Sequence, residues 1–398
     1  MKKTNLRKKE KQNAKFQTQT GITLIALIIT VIVLLILAGT AISISVNGGD
    51  LFSKSENSVN KWNNAALKEE IAYALNFYWE EPTLEGKLKK INGVDKVEKA
   101  NELSDVCYVT KGKSQVTVYS DGDILDGEVS IWNGEIECPE FKKENNIWNW
   151  YIYTPGQLKF LADFVNNGNS LTGTENGTEL SGYVPKKYTP SEITMTAETT
   201  IYLMDNLDLG ARPGTGTTEE AKWETAANEA VKWMPIGVDK NNVTGKLGTF
   251  EGNNYTIRGV YVNRDNDDEA YNGIFGNSNT IRNLTIKNSY IRGDYIVGGI
   301  VGRLRNGTME NCHNKSTTVI SVSKDLSDVG GVAGQLSSST TINKCTNSGM
   351  VIGNGVTYGG YVGGIVAYTR FIRYNKRMYK YWNCKGKRNL YRRNIWST

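Results

Sequence analysis

Histidine is almost absent from this chain: His313 is the only one among 398 residues. Zinc sites built on two histidines and the H-E-x-x-H signature of metallopeptidases are therefore excluded, and a Ser-His-Asp triad has a single candidate base. Cysteine is sparse as well. Cys107, Cys138, Cys312, Cys345 and Cys384 include no C-x-x-C pair. Cys107 and Cys138 could bridge outside the cell, although two scattered cysteines are more often unpaired or buried. No pair of carboxylates stands out for glycoside hydrolysis, and nothing calls for a cofactor or a metal. The chain reads as a non-enzyme without catalytic residues.

The basic excess also dissolves when it is located. Formal charge is +6, but residues 1–21 hold seven Lys/Arg against Glu10, and 371–398 hold nine without an acid. Residues 22–370 are left with 31 basic and 40 acidic side chains, so the basic pI does not argue for nucleic acid.

The long apolar run is where the chain is rich. Residues 22–46 pass 25 positions without a charge, about 37 Å as a helix, which suffices for a hydrocarbon core of about 30 Å. The basic leader before it predicts a cytoplasmic N-terminus and an extracellular remainder. A signal peptide, the alternative, has a shorter apolar stretch followed by a cleavage site. Lys15-Phe16-Gln17-Thr18-Gln19-Thr20-Gly21 followed by Ile22-Thr23-Leu24-Ile25 resembles the N-terminus of type IV prepilins and pseudopilins. That resemblance implies a prepilin peptidase cutting between Gly21 and Ile22, methylation of the new terminus, and retention of the helix. The family's glutamate at the fifth mature position is Ala26 here, which favours an anchored or tip-located protein over a major filament subunit.

Beyond Asn47-Gly48-Gly49, Val59, Trp62, Ala66, Ile71, Ala74, Leu75 and Tyr78 recur at helical spacing up to Pro82. Short alternating strands follow at 106–109 and 115–119, a turn at Asp121-Gly122, and a strand at 128–132. A pilin-like α+β head is the expectation for 47–146. Thr154-Pro155-Gly156-Gln157 reads as a capping box with proline at the first helical position, opening a helix with Leu158, Leu161, Ala162 and Val165 on one stripe. That helix is expected to cover the open end of a sheet stack over 147–240, with a loop rich in Gly, Thr and Glu at 210–230.

From 241 to 370 the chain repeats. Gly298-Gly299-Ile300-Val301-Gly302 returns as Gly330-Gly331-Val332-Ala333-Gly334 and as Gly363-Gly364-Ile365-Val366-Ala367, at intervals of 32 and 33 residues. Asn311-Cys312-His313-Asn314 returns as Lys344-Cys345-Thr346-Asn347, and Asn283-Leu284-Thr285 fills the slot before them. Such a period with glycine corners predicts a β-solenoid in which each coil buries its apolar face on the next. Corner glycines are expected to supply unusual φ angles. Leu284, Cys312 and Cys345 should form one interior column, about 4.8 Å per coil, so these cysteines read as small buried hydrophobes. Phe250-Glu251-Gly252-Asn253-Asn254-Tyr255-Thr256-Ile257, Gly273-Ile274-Phe275-Gly276 and the paired-glycine segments resemble the GLUG repeat family of bacterial surface proteins over about 150–367. The resemblance implies surface adhesion or scaffolding and brings no catalytic residues.

Residues 371–398 break the pattern. A basic disordered tail is one reading, but Trp382, Trp396 and several tyrosines are poor disorder composition. The other is a frameshift product: read one base downstream, Met378 before Tyr gives cysteine, and Trp382 before Asn gives glycine. Trp396 before a TCN-coded serine gives glycine too. Elsewhere, Asp265 to Glu269 could hold calcium but reads better as a solvated turn. Trp148, Trp150, Tyr151 and Tyr153 could meet sugars or pack under the capping helix. Taken together, the sequence predicts a mainly β protein: a transmembrane α-helix, a small pilin-like α+β head and a GLUG-type β-solenoid displayed on the cell surface. Its implied partners are prepilin peptidase, membrane lipid, other pilin-like subunits, and host or cell-surface glycans or proteins. The alternatives are a pseudopilin-like part of a pilus or secretion assembly and, less favoured, a carbohydrate-active enzyme.

Overall fold

The computed structural model describes residues 49–100, 105–166, 195–238, 247–264, 271–323, 327–337, 339–354, 360–369 and 384–386. The leader, Gly21, Ile22, the run 22–46 and the acidic turn at 265–269 lie outside the described residues. Among the described residues no helix is long and apolar enough to cross a membrane. The chain divides into two compact units, 1–127 and 128–398.

In the first unit a long helix, α1 (Gly49–Phe77), and a short one, α2 (Leu84–Lys89), lie on an antiparallel sheet. Its strands are β1 (Lys96–Lys99), β2 (Val106–Lys111), β3 (Ser114–Tyr119) and β4 (Ile124–Asp126), paired in that order. Alternation in β2 and β3 sends Cys107, Val109, Val116 and Val118 inward against Leu67, Ile71 and Ala74 of α1. The helical stripe starts later than the sequence suggests. Leu67, Ile71 and Ala74 set its phase, and Val59 and Trp62 fall off that side of the wheel, 56% and 72% exposed. Gly122 takes the expected left-handed φ of 91° in the turn after β3.

The second unit is a stack of coils forming a β-solenoid, mainly parallel sheets in which successive coils pair rung on rung. It takes in residues 128–146: Ser130–Ile131 pairs in parallel with Leu207–Asp208, and Glu140–Glu144 forms a hairpin with Ile147–Ile152. One inward column runs Trp150, Ile201, Phe250, Ile281, Met309, Ile342 in register. Another runs Val262, Ile291, Val319, Val351. All of these are buried. Apolar columns of this kind are the stabilising term, at roughly 25 cal/mol per Å² of apolar surface removed from water. Leu284, Cys312 and Cys345 are fully buried in the same core, each just before a paired rung. Cys107, Cys138, Cys312 and Cys345 are free thiols.

Helix α3 (Pro155–Asn166) closes the first end as its sequence suggests. Thr154 Oγ1 accepts from Gln157 N–H at 3.3 Å, and Gln157 Oε1 accepts from Tyr153 N–H at 2.6 Å, a variant of the capping box in which the glutamine reaches one residue before the N-cap. Phe160 and Phe164 join the expected stripe and meet Trp150 with ring centroids 6.2 and 4.9 Å away.

The repeat glycines act differently from expectation. None of Gly298, Gly299, Gly302, Gly330, Gly331, Gly334, Gly363 and Gly364 has a positive φ. One series of left-handed corners is Asn254, Asn283, Asn311 and Lys344, with φ between 52° and 65°; the first three are asparagine, which tolerates that region through local hydrogen bonding. Most of these glycines are required by close approach. A Cβ on Gly299 would collide with the Gly331 carbonyl one coil on, and a Cβ on Gly331 with the Gly364 carbonyl.

The segment 210–230, read as a loop, contains two short helices, α4 (Glu219–Trp223) and α5 (Ala226–Ala230). Thr218 and Thr225 cap them by accepting from Ala221 and Asn228 N–H. The segment is a strap over the outer face of three coils. Glu229 accepts from Tyr261 Oη at 2.9 Å, Glu224 from Tyr290 Oη at 3.1 Å and Glu219 from Thr318 Oγ1 at 3.3 Å. Trp223, Tyr290 and Tyr261 stack beneath it at 5.8 and 5.7 Å. Burial pushes Glu229 up, but hydrogen bonds from Tyr261, Asn263 and Lys232 outweigh it and hold the carboxyl below its ordinary value.

Candidate binding face

Alternation along each short strand sends every second side chain outward, and coil stacking lines these into rows. On the seven-stranded face one outward row reads Tyr151, Tyr202, Glu251, Arg282, Glu310, Asn343. Beside it, Thr200, Thr249, Thr280, Thr308 and Thr341 each open a rung. Tyr151 and Tyr202 stack with centroids 5.2 Å apart, and Lys142 Nζ lies 4.4 Å from the Tyr151 ring centre. Trp148 and Trp150 of the same strand point the other way, into the core. The four aromatics of 148–153 thus divide: the two indoles pack inside, while Tyr151 faces out in this row.

Around the corner, Asn311 Nδ2 donates to Asn283 Oδ1 at 2.8 Å and to Asn254 Oδ1 at 3.0 Å, and Asn283 Nδ2 donates to Glu251 at 2.8 Å. The next outward row is Thr256, Thr285, His313, Thr346. His313 is bonded to Thr346 Oγ1 through Nδ1 at 2.7 Å and to Asn311 Oδ1 through Nε2 at 3.0 Å. Burial, then Lys315, pushes its pKa down. A catalytic triad would need a carboxylate on one ring nitrogen and a nucleophile on the other; His313 instead has two neutral partners. Burial pushes Cys107 up to about 11 and Cys138 to about 12, far from the reactive thiolate range. Among the described residues no three His, Cys, Asp or Glu side chains gather as a metal group.

What this face offers chemically is a ladder of hydroxyl, amide and charged groups repeating at about 4.8 Å, with two stacked phenols at one end. The threonines at each rung are the signal in the sequence that points to it. The glycines and cysteines that dominate the repeat pattern lie behind it in the stack.

Two strands further round the coil from His313's row, Asp328 sits between Ile296 and Tyr361 in its ladder. Burial pushes its carboxyl up to about 6, against a smaller opposing hydrogen bond from the Tyr361 backbone. A raised carboxyl favours the fold while it is protonated, and that contribution is lost as pH rises from its unfolded value, about 3.9, toward 6. Asp328→Asn should therefore raise the melting temperature at about pH 7.5 and leave it nearly unchanged at about pH 4. Equal shifts at both pH values in a calorimetric scan would reject this.

No protein-family model matches the chain, and no solved structure matches it. A stretch of 184 residues, 44% of the chain, is 29% identical to halomucin of Haloquadratum walsbyi (strain DSM 16790 / HBSQ001) and spans 2% of that protein's length.

Proposed function

We propose that this is a bacterial cell-surface protein whose solenoid binds an extended partner, a glycan or a protein chain, along its seven-stranded face. The observation that carries the reading is the uninterrupted outward row from Tyr151 to Asn343, flanked by the threonine row. Stacked tyrosines suit sugar rings, and rungs of hydroxyl and amide groups suit a ligand that itself repeats. Anchoring rests on the sequence: a leader removed at Gly21–Ile22 by prepilin peptidase, the run 22–46 in the membrane with its N-terminus cytoplasmic, and a pilin-like head and GLUG-type solenoid outside. The role is one of binding rather than catalysis.

A pseudopilin-like assembly role is the second reading, and a separate observation favours it. Trp62, Tyr73 and Phe77 of α1 are 72%, 55% and 62% exposed, a face that other pilin-like subunits would cover.

Two measurements on the full chain test the proposal. Protease added to intact expressing cells should remove the solenoid, and protection would rule out display. On a glycan array, Tyr151→Ala/Tyr202→Ala should lose about thirtyfold or more in binding, taking roughly 1–3 kcal/mol per aromatic ring, as for bases stacked on such rings. Binding unchanged by the double substitution would exclude this face.

A further inference from the structure

Hydrogen bonding at the paired-glycine turn has a direction. Gly299 N–H donates to Gly330 O and Gly331 N–H to Gly363 O; Ile300 N–H donates to Val332 O and Val332 N–H to Ile365 O. At this paired-glycine turn each coil thus hands its amides to the coil that follows, whereas at other corners the later coil donates back, as His313 N–H does to Leu284 O and Thr346 N–H to Cys312 O. The corresponding amides of the last described coil, on Gly364 and Ile365, meet no acceptor among the described residues. Gly364 repeats the logic. Its counterparts Gly299 and Gly331 have no room for a Cβ because the following coil's carbonyl is there, whereas a Cβ on Gly364 would meet nothing within 4 Å. Nor does its φ demand glycine. In the inward column Val297, Val329, Val362, the first two are fully buried and Val362 is 41% exposed.

We propose that this coil is a seat for one more coil of the same repeat, and that codons 370–396 read one base downstream encode its occupant. The offset comes from the fold itself: the backbone of Cys384–Gly386 pairs with Val351–Gly353, 33 positions earlier. At that offset the shifted frame is constrained by the residues present, whatever synonymous codons are used. Position 378 becomes cysteine, below Leu284, Cys312 and Cys345 in the core series. Position 380 becomes asparagine or serine, following the buried Asn314 and Asn347, whose amides are bonded to each other at 3.0 Å. Position 382 becomes glycine, following Gly349, where a Cβ would collide with Thr317 O. Position 384 becomes valine or alanine, extending Val262, Ile291, Val319, Val351. Position 396 becomes glycine with either class of serine codon at 397. The residues in the present frame at the first three positions are Met378, Lys380 and Trp382. A lysine in the asparagine column would bury a charge, and a tryptophan has no space where Gly349 closes its turn.

The nucleotide sequence is the first test: the shifted frame should stay open from codon 370 through 396, and a stop codon within it would end the proposal. The second compares the full chain as it stands with one in which a base is removed near codon 370. Gly364→Ala should leave the melting temperature of the present chain within about 1 °C, and lower that of the restored-frame chain by about 5 °C or more, as overpacking does. Gly331→Ala should lower both. Backbone amides of 360–369 should exchange at least tenfold more slowly in the restored-frame chain, a readout independent of the substitutions. Equal exchange, or equal tolerance of Gly364→Ala in both chains, would overturn the assignment.

Discussion

Asp208→Ala should lower the melting temperature of the solenoid unit by about 10 °C, the largest effect expected of any single polar substitution in this chain. Asp208 is fully buried at the corner where the first coil turns. Its two oxygens receive Arg212 Nη1 and Nη2 at 2.9 and 2.6 Å, and Oδ1 also accepts from Gly210 N–H at 2.9 Å. Arg258, 3% exposed, lies 4.0 Å from the same carboxylate. Removing the anion leaves cationic groups in a poorly solvated corner, a situation that costs about 3–5 kcal/mol. Converting both Asp208 and Arg212 to neutral residues should recover part of the loss, because the cost lies in burying cationic charge without the carboxylate. A single mutant melting within about 2 °C of the parent would show that water reaches the corner freely.

Trp150→Ala should be nearly as severe, and for the opposite chemical reason. The indole is fully buried where the stack ends, edge-on to Phe141 at 4.7 Å and tilted against Phe160 and Phe164. Truncating a core tryptophan costs about 3–5 kcal/mol in lost transfer energy and residual cavity. Here it also loosens α3, the element that keeps the first coil from other chains. The variant should melt early and bind a hydrophobic dye before its unfolding midpoint, since exposed sheet ends associate. Early melting without dye binding would mean that α3 stays seated without Trp150.

These two sites differ in how far the sequence announces them. The Thr154–Gln157 capping box and the stripe after it spell out α3 at short range, and each of its parts depends only on neighbours in the chain. Stacked coils are similarly legible, because the 32- and 33-residue recurrence is the structure seen end-on. Asp208 is legible only in part: Gly210 and Arg212 lie within four residues of it, but Arg258 is brought close only by coil-on-coil register, and nothing local says that the corner is buried. The role of the paired glycines is hidden in the sequence for a related reason. Gly299 and Gly331 are constrained by the carbonyl of the next coil, 32 and 33 residues away, and Gly298, Gly330 and Gly363 by a carbonyl three residues on across the turn, while left-handed φ is supplied by asparagine at Asn283 and Asn311. The strap is masked in the sequence because Gly, Thr and Glu in 210–230 have loop composition. Only the rungs beneath explain why Glu219, Glu224 and Glu229 fall five residues apart.

That interval turns the strap into a ruler. Three carboxylates address three successive layers, so a duplication or loss of one layer beneath them would put at least one acid opposite the wrong row. Past Thr318 no such gauge is laid across the stack by this segment. Change in the number of layers, by recombination between near-identical stretches of gene, is therefore expected to accumulate on the far side of the ruler and to spare the part it spans.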